Sequence, residues 1–224
     1  MFKKFSFLLF LFAGQVLFSQ AISFNIEEFE KANITNGVKV YFTPGEEYKV
    51  QISGKNKEKV NVDVKNGVLQ IKMDFNHIWQ KDDTMVEVYY KELNKIEARQ
   101  ASEIELCGSI KQNSINLLSK EGSKITAHIN VEKLNVNAVT KGTVKVIGKA
   151  EDQDILINGE GQFKGANLAG KNVKIRINGG GIANINSTEI VKAKIKAGGT
   201  INIYGNPEDV EENIRFGGTI KKIN

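Results

Sequence analysis

Three carboxylates in one stretch raise the question of catalysis. Asp152 and Asp154 stand two residues apart and Glu160 follows closely, and paired carboxylates about 5 to 9 Å apart are the machinery of glycoside hydrolysis. Acidic calcium ligands beside a basic group would suit a polysaccharide lyase instead. On a strand, residues two apart share a face, so Asp152 and Asp154 point the same way. Either chemistry needs a cleft, and the surrounding repeats are minimal, with no long insertion to wall one. The pair therefore reads as a solvated corner, and a polysaccharide lyase or glycosidase is the lesser alternative.

The other reactive residue types are scattered. The two histidines, His77 and His128, fall in separate segments, so they form no cluster for a metal. His128 follows Thr126 and Ala127 and reads as solvent-facing or wedged. No Gly-x-Ser-x-Gly elbow accompanies a base and an orienting acid. Cys107 is the single cysteine; it reads as a small buried residue, with an intermolecular disulfide as the alternative. No catalytic residue, metal ligand or cofactor is assigned, and a non-enzyme is expected.

One segment breaks the pattern. Asp74 to Asp83 separates two strands and carries the only tryptophan. Trp79, with His77 near it, is the candidate binding residue, because an aromatic ring on a loop stacks on a sugar face or anchors a protein partner. Equally, it covers the open end of a stacked fold, which needs shielding against end-to-end pairing. This segment is the first place to look for a specific function.

What must position these side chains is a repeat. Gly122, Gly142, Gly161, Gly181, Gly199 and Gly218 recur at steps of 20, 19, 20, 18 and 19, with a precursor at Ala101-Ser102. A fixed period with strand-like content points to a solenoid in which each repeat stacks on its neighbours, with these glycines as structural corners. The apolar columns keep the same period: Val173, Val191 and Val210, then Ile177, Ile195 and Ile214. Val144 with Val146, Ala183 with Ile185 and Ile201 with Ile203 face inward, while Lys145, Asn184, Lys192, Lys194 and Asn202 face water. Each repeat reads as two or three short strands joined at glycine corners.

Upstream, Val60, Val62 and Val64 alternate before Asn66-Gly67, and Leu69, Ile71 and Met73 alternate after it, a hairpin signal. Pro207 to Asn213 is read as one possible turn. The expected fold is all-β, a single-stranded right-handed parallel β-helix of about 19–20 residues per coil. N-terminal strands extend or cap it. Residues 22–224 form one domain, with strands and the hairpin in 22–92 and repetitive coils in 93–224.

Lys3 and Lys4, an apolar run from Phe5 and the small residues Ser19-Gln20-Ala21 read as a removable signal peptide over residues 1–21. The run falls short of a membrane span, so none is expected in the mature chain. The protein is expected to be exported, to the periplasm, the cell surface or the medium. The net charge of +5 includes both leader lysines. The remaining surplus is small and spread over many strands, which argues against nucleic acid.

The phrases Asn158-Gly159-Glu160-Gly161 and Asn178-Gly179-Gly180-Gly181, the run from Gly198 through Tyr204-Gly205-Asn206-Pro207, and the closing Phe216-Gly217-Gly218-Thr219-Ile220 resemble the head GIN domain family of auto-transporter adhesins. The resemblance spans about Phe24 to Ile223. It departs at Ala197 and Phe216, where a glycine is common. It implies an exported β-helix of Bacteroidetes-type bacteria, related in shape to pectin-lyase solenoids. It also implies cell adhesion as the usual proposal, with no agreed catalytic residues to carry over. Asp83-Thr84-Met85 similarly resembles an O-glycosylation acceptor of secreted proteins of such bacteria.

The expected function is an exported binding or adhesion protein that presents its repetitive surface at the cell envelope to a cell-surface glycan or a matrix protein. The alternative is an envelope scaffold assembling through solenoid contacts; the oligomeric state is left open. For Trp79 the capping role is the expected one: Trp79→Ala should lower the melting temperature and leave glycan or surface binding intact. Lost binding with unchanged melting would assign ligand contact instead.

Overall fold

Period-two alternation makes strands that bury one face and wet the other. The computed structural model describes residues 21–74 and 83–223. Its strands are β1 (Ile22–Asn25), β2 (Lys31–Thr35), β3 (Lys39–Pro44), β4 (Lys49–Ser53), β5 (Val60–Lys65), β6 (Val68–Met73), β7 (Met85–Tyr90), β8 (Lys95–Ala98), β9 (Glu103–Lys120), β10 (Lys124–Val139), β11 (Thr143–Asn158), β12 (Gln162–Lys164), β13 (Leu168–Ala169), β14 (Asn172–Asn178), β15 (Ile182–Asn186), β16 (Ile190–Ala197), β17 (Thr200–Tyr204), β18 (Asp209–Phe216) and β19 (Thr219–Lys222). They stack into a β-solenoid of about seven turns.

Each coil crosses one wall, bends, crosses a second wall and turns back. Wall 1 holds the first halves of β9, β10 and β11, then β12, β15, β17 and β19. Wall 2 holds β8, the second halves of the same long strands, then β14, β16 and β18. These pairings are all parallel. The long strands β9 to β11 run through both walls without a break, where two or three short strands per repeat were expected.

The N-terminal part extends the solenoid and also covers its end, but not in chain order. β2 lies between β6 and β8 on wall 2, and β3 lies between β7 and β9 on wall 1. The β2–β3 coil is thus inserted between segments that come later in the chain. Beyond β7, β4 and then β1 pair antiparallel. β5 pairs antiparallel with β6 through Asn66 and Gly67, whose φ angles of 52° and 70° are those of the tight hairpin turn the Asn-Gly pair favours.

The residue entering wall 1 is the tightest point of each coil. Register places Ser102, Ser123, Gly142, Gly161, Gly181, Gly199 and Gly218 at this corner, because Glu103, Lys124, Thr143, Gln162, Ile182, Thr200 and Thr219, which follow them, are in register. Gly122 therefore belongs one position earlier than its period suggested, with Ser123 as the true corner. The amide after each corner donates to the previous corner's carbonyl: Lys124 N to Ser102 O at 2.9 Å, Gln162 N to Gly142 O at 2.8 Å and Thr200 N to Gly181 O at 2.9 Å.

Serine and glycine solve the corner differently. Ser123 is buried and its Oγ donates to Ala98 O at 2.8 Å. One coil on, a Cβ on Gly142 would collide with the carbonyl oxygen of Ser119, the residue in register one coil above Ala98, and a Cβ on Gly161 would collide with Ala138 O. Gly142 and Gly161 are thus demanded by close approach, without positive φ. Gly122, in contrast, has φ of 74° and open space around its Cβ.

Inward columns carry the core: Val173 and Val191, Ile177 and Ile195, Ala183 and Ile185, Ile201 and Ile203 are all buried. The last coil breaks this rule. Glu212 stands in the column of Ile175 and Ala193, and Lys222 in that of Ile203. Ile214 is 43% exposed and Phe216 75% exposed. Inward-directed charge on a terminal strand discourages edge-to-edge pairing. The turn read over Pro207 to Asn213 is instead the approach to β18, a strand from Asp209. Cys107 is half-buried rather than buried; it sits beside Gly108 in a bulge where β9 slips against β10.

The corner geometry sets an ordering. Gly142→Ala should lower the urea unfolding midpoint by an amount equivalent to about 3 kcal/mol, the upper range for overpacking. Gly122→Ala should cost only about 1 kcal/mol, for its backbone angle. Equal losses would contradict the close-approach account.

Candidate functional site

Wall 2 carries the richest outward chemistry, and register sorts it into rows along the solenoid axis. One row runs Asn116, Asn135, Asp154, Lys174, Lys192, Glu211, and the next Leu118, Asn137, Leu156, Arg176, Lys194, Asn213. In-register stacking lets side chains hydrogen-bond up the column: Asn135 Nδ2 donates to Asn116 Oδ1 at 3.1 Å, and Asn116 Nδ2 to Asn94 O at 3.1 Å. Two depressions lie on this wall. One of about 350 Å³ is lined by Lys133, Asn135, Asp152, Asp154, Lys174 and Lys192 among others. The other, of about 530 Å³, shares Asn135 and Asp154 and adds Leu118, Asn137, Leu156 and Arg176. Together they form one groove running across several coils.

Asp152 and Asp154 do share the outward face of β11. Their partners lie one coil on: Asp152 accepts from Asn172 Nδ2 at 2.9 Å, and Asp154 from Arg176 Nη2 at 2.7 Å. Glu160 is apart from them, in the turn after β11, where Lys141 Nζ lies 3.6 Å away. The three acids therefore belong to separate polar contacts, two on the outer wall and one in a turn.

His128 is exposed on β10, against Gly148, where a Cβ would come 2.9 Å from the imidazole Cδ2. His77 and Trp79 lie outside the described residues, as does the leader up to Gln20. The feet of their segment are held: Asn36 Nδ2 donates to Met73 O at 2.9 Å, and Lys55 N to Asp83 Oδ1 at 3.1 Å. Thr84, read as an O-glycan acceptor, is buried and its Oγ1 accepts from Asn56 N at 3.0 Å, so its hydroxyl is turned into the structure. Among the described residues no group of three or more His, Cys, Asp or Glu could hold a metal ion, and no helix is long and apolar enough to cross a membrane.

The groove itself was not legible as a site, because its residues come from six coils and no local motif marks them. The usable signal was the alternation that put Lys192 and Lys194 on a wet face.

Titration is perturbed most at a tyrosine away from the groove. Tyr90 is 2% exposed, packs edge-on against Phe42 at 6.1 Å and leaves its hydroxyl without a partner. Burial, with the Cys107 thiol adding to it, pushes its phenol up to about 12. On the surface, Lys149 and then Lys171 hold the Glu151 carboxyl below its usual range.

The stacked coils, aliphatic inside and polar outside, define a β-solenoid repeat protein. The chain belongs to the family described as "Putative auto-transporter adhesin, head GIN domain", whose model matches residues 28–207. Similar crystal structures include one described as a putative adhesin from Bacteroides fragilis NCTC 9343, with TM-score 0.82 and 22% identity, covering 91% of this chain and 96% of that one. A second, from Parabacteroides distasonis ATCC 8503 and also described as a putative adhesin, has TM-score 0.74 and 18% identity, covering 91% and 96%. A third, described as a putative lipid binding protein from the same strain, has TM-score 0.73 and 16% identity, covering 92% and 96%. At these identities the likeness establishes the fold. A comparison with curated proteins finds no match.

The Tyr90 phenol gives a pH signature. Its folded pKa lies above the ordinary value of 10.0, so its contribution is complete below that pH and is lost as pH rises toward about 12. Tyr90→Phe should flatten the fall in urea midpoint between about pH 10 and 12, while leaving the midpoint at pH 7 unchanged or raised.

Proposed function

We propose that the mature chain is an exported, non-enzymatic binding protein that acts as an adhesin at the cell envelope, offering wall 2 to a cell-surface glycan or a matrix protein. The observation that supports this most is the groove of stacked amides, carboxylates and cations running across successive coils. Hydrogen-bonding side chains repeated at about 4.8 Å along one axis suit an extended ligand with its own repeat better than a single small molecule. The stacking also orders these side chains before binding, which reduces the entropic cost of contact.

The family's adhesin description agrees with this reading, and a leader of the kind read in residues 1–21 agrees with export. Catalysis finds less support. Asp152 and Asp154 each have a partner in the next coil, and in the groove they line the Asp154 side chain stays 40% exposed to water. The scaffold alternative is disfavoured by Glu212 and Lys222, which set charge in the inward columns of the terminal coil.

A binding screen of the purified mature chain against glycan arrays, matrix proteins and lipid vesicles tests the proposal. Saturable binding to a glycan or a matrix protein is expected, and Asn116→Ala with Asn135→Ala should weaken it several-fold with the melting temperature nearly unchanged. Depolymerisation of any glycan, abolished by Asp154→Ala, would contradict the non-enzymatic reading. Concentration-dependent filaments in sedimentation would favour the scaffold.

A further inference from the structure

In-register parallel stacking places like residues over one another, and on wall 2 it does so with charge. Lys174 of β14 pairs with Lys192 of β16, and Arg176 with Lys194. Stacked strands lie about 4.8 Å apart, well within the range over which like charges repel. Lys196, at the bulge of β16, adds a fifth cation. Neither Asn172–Asn178 nor Ile190–Ala197 contains an acidic residue.

Relief comes only from the strands on either side. Arg176 takes Asp154 at 2.7 Å, and Lys192 has Glu211 at 3.9 Å. Lys174, Lys194 and Lys196 have no acidic partner among the described residues. Elsewhere neighbouring coils offset charge, as where Lys124 meets Glu103 at 2.8 Å. Two other lysine pairs are in register, Lys145 with Lys164 on wall 1 and Lys31 with Lys95 near the N-terminal end of wall 2, but each is a single pair, and Lys95 has Glu97 at 3.8 Å. The inward residues of β14 and β16 are aliphatic and buried, so the core does not depend on Lys174, Lys194 and Lys196 outside them.

We propose that the outer face of β14 and β16 binds an acidic polysaccharide laid along these two strands, its carboxylate or sulfate groups taken by Lys174, Lys192, Lys194 and Lys196. This names the ligand class for the part of wall 2 that adjoins the groove, whose lining includes Lys174 and Lys192, and it rests on the adhesin reading. The direction follows from the strands: Lys192, Lys194 and Lys196 alternate along β16, whereas along the axis the Lys174–Lys192 row is closed by Asp154 and Glu211. The two strands contain no aromatic residue, so they lack the stacking platforms of a single-stranded nucleic-acid site and the anchors of a membrane-surface face.

The probes are polygalacturonate, chondroitin sulfate, neutral dextran and phosphatidylserine vesicles. The chain is compared with the double variant Lys174→Gln and Lys194→Gln and with the wall 1 control Lys145→Gln and Lys164→Gln. The expected result is binding to one of the acidic polysaccharides that weakens with salt. The wall 2 variant should bind at least tenfold more weakly, with a salt slope reduced by about two, while the control binds as the parent does. The melting temperature of the wall 2 variant should hold or rise, because repulsion is removed.

A fall in that melting temperature overturns the proposal, since the lysines would then serve the fold. So does an equal loss in the control, which would mean diffuse charge, and so does binding confined to the vesicles. Binding to dextran or a matrix protein that the wall 2 variant retains overturns this proposal and leaves the adhesin reading standing. Absence of binding to every glycan, matrix protein and vesicle defeats both.

Discussion

The structure depends on how closely one coil's corner can approach the next. At each entry to wall 1 the amide after the corner donates to the carbonyl of the corner before, as in Gln162 N to Gly142 O at 2.8 Å. That ladder holds the coils in register, and register decides everything on the walls: which aliphatic residues meet inside and which polar residues stack outside. Early corners keep a small side chain: Ser123 satisfies its hydroxyl through Ala98 O, while the Ser102 hydroxyl is buried without a hydrogen-bond partner. Later ones dispense with the side chain, and at Gly142 and Gly161 the neighbouring carbonyl occupies the place of a Cβ.

The same stacking that builds the solenoid creates its problem at the ends, where a strand is left with no partner. The two ends are treated differently. At the N-terminal end the chain reverses, so that antiparallel β1, β4 and β5 cover the parallel coils. In the last coil the inward columns of Ile175 and Ile203 end in Glu212 and Lys222. A further coil placed there would have to bury both charges, which is costly without matched partners.

The solenoid and its inward columns were legible because they are written locally: period two along each strand and a period near 19 along the chain. The hairpin at Asn66-Gly67 was legible for the same reason. What escaped is set by pairing between distant segments. Nothing local in Lys31–Thr35 announces that it lies between β6 and β8, and the glycine spacing alone could not tell that Ser123, one residue after Gly122, is the corner. The groove was hidden in the same way, since Asn116, Asn135, Asp154, Lys174 and Lys192 become a row only once five coils are in register. The acidic pair attracted notice first, and its significance changed when each acid proved to have a partner one coil on.

These features support a protein whose rigid interior exists to hold one repetitive wall in order, with recognition on β14 and β16 more than on the Asp74 to Asp83 segment. Lysine acetylation footprinting of the mature chain, with and without its ligand, tests that most directly. The account predicts that Lys174, Lys192 and Lys194 become protected while Lys145 and Lys164 on wall 1 stay reactive. Protection confined to wall 1, or to Lys81 in the Asp74 to Asp83 segment, would contradict it.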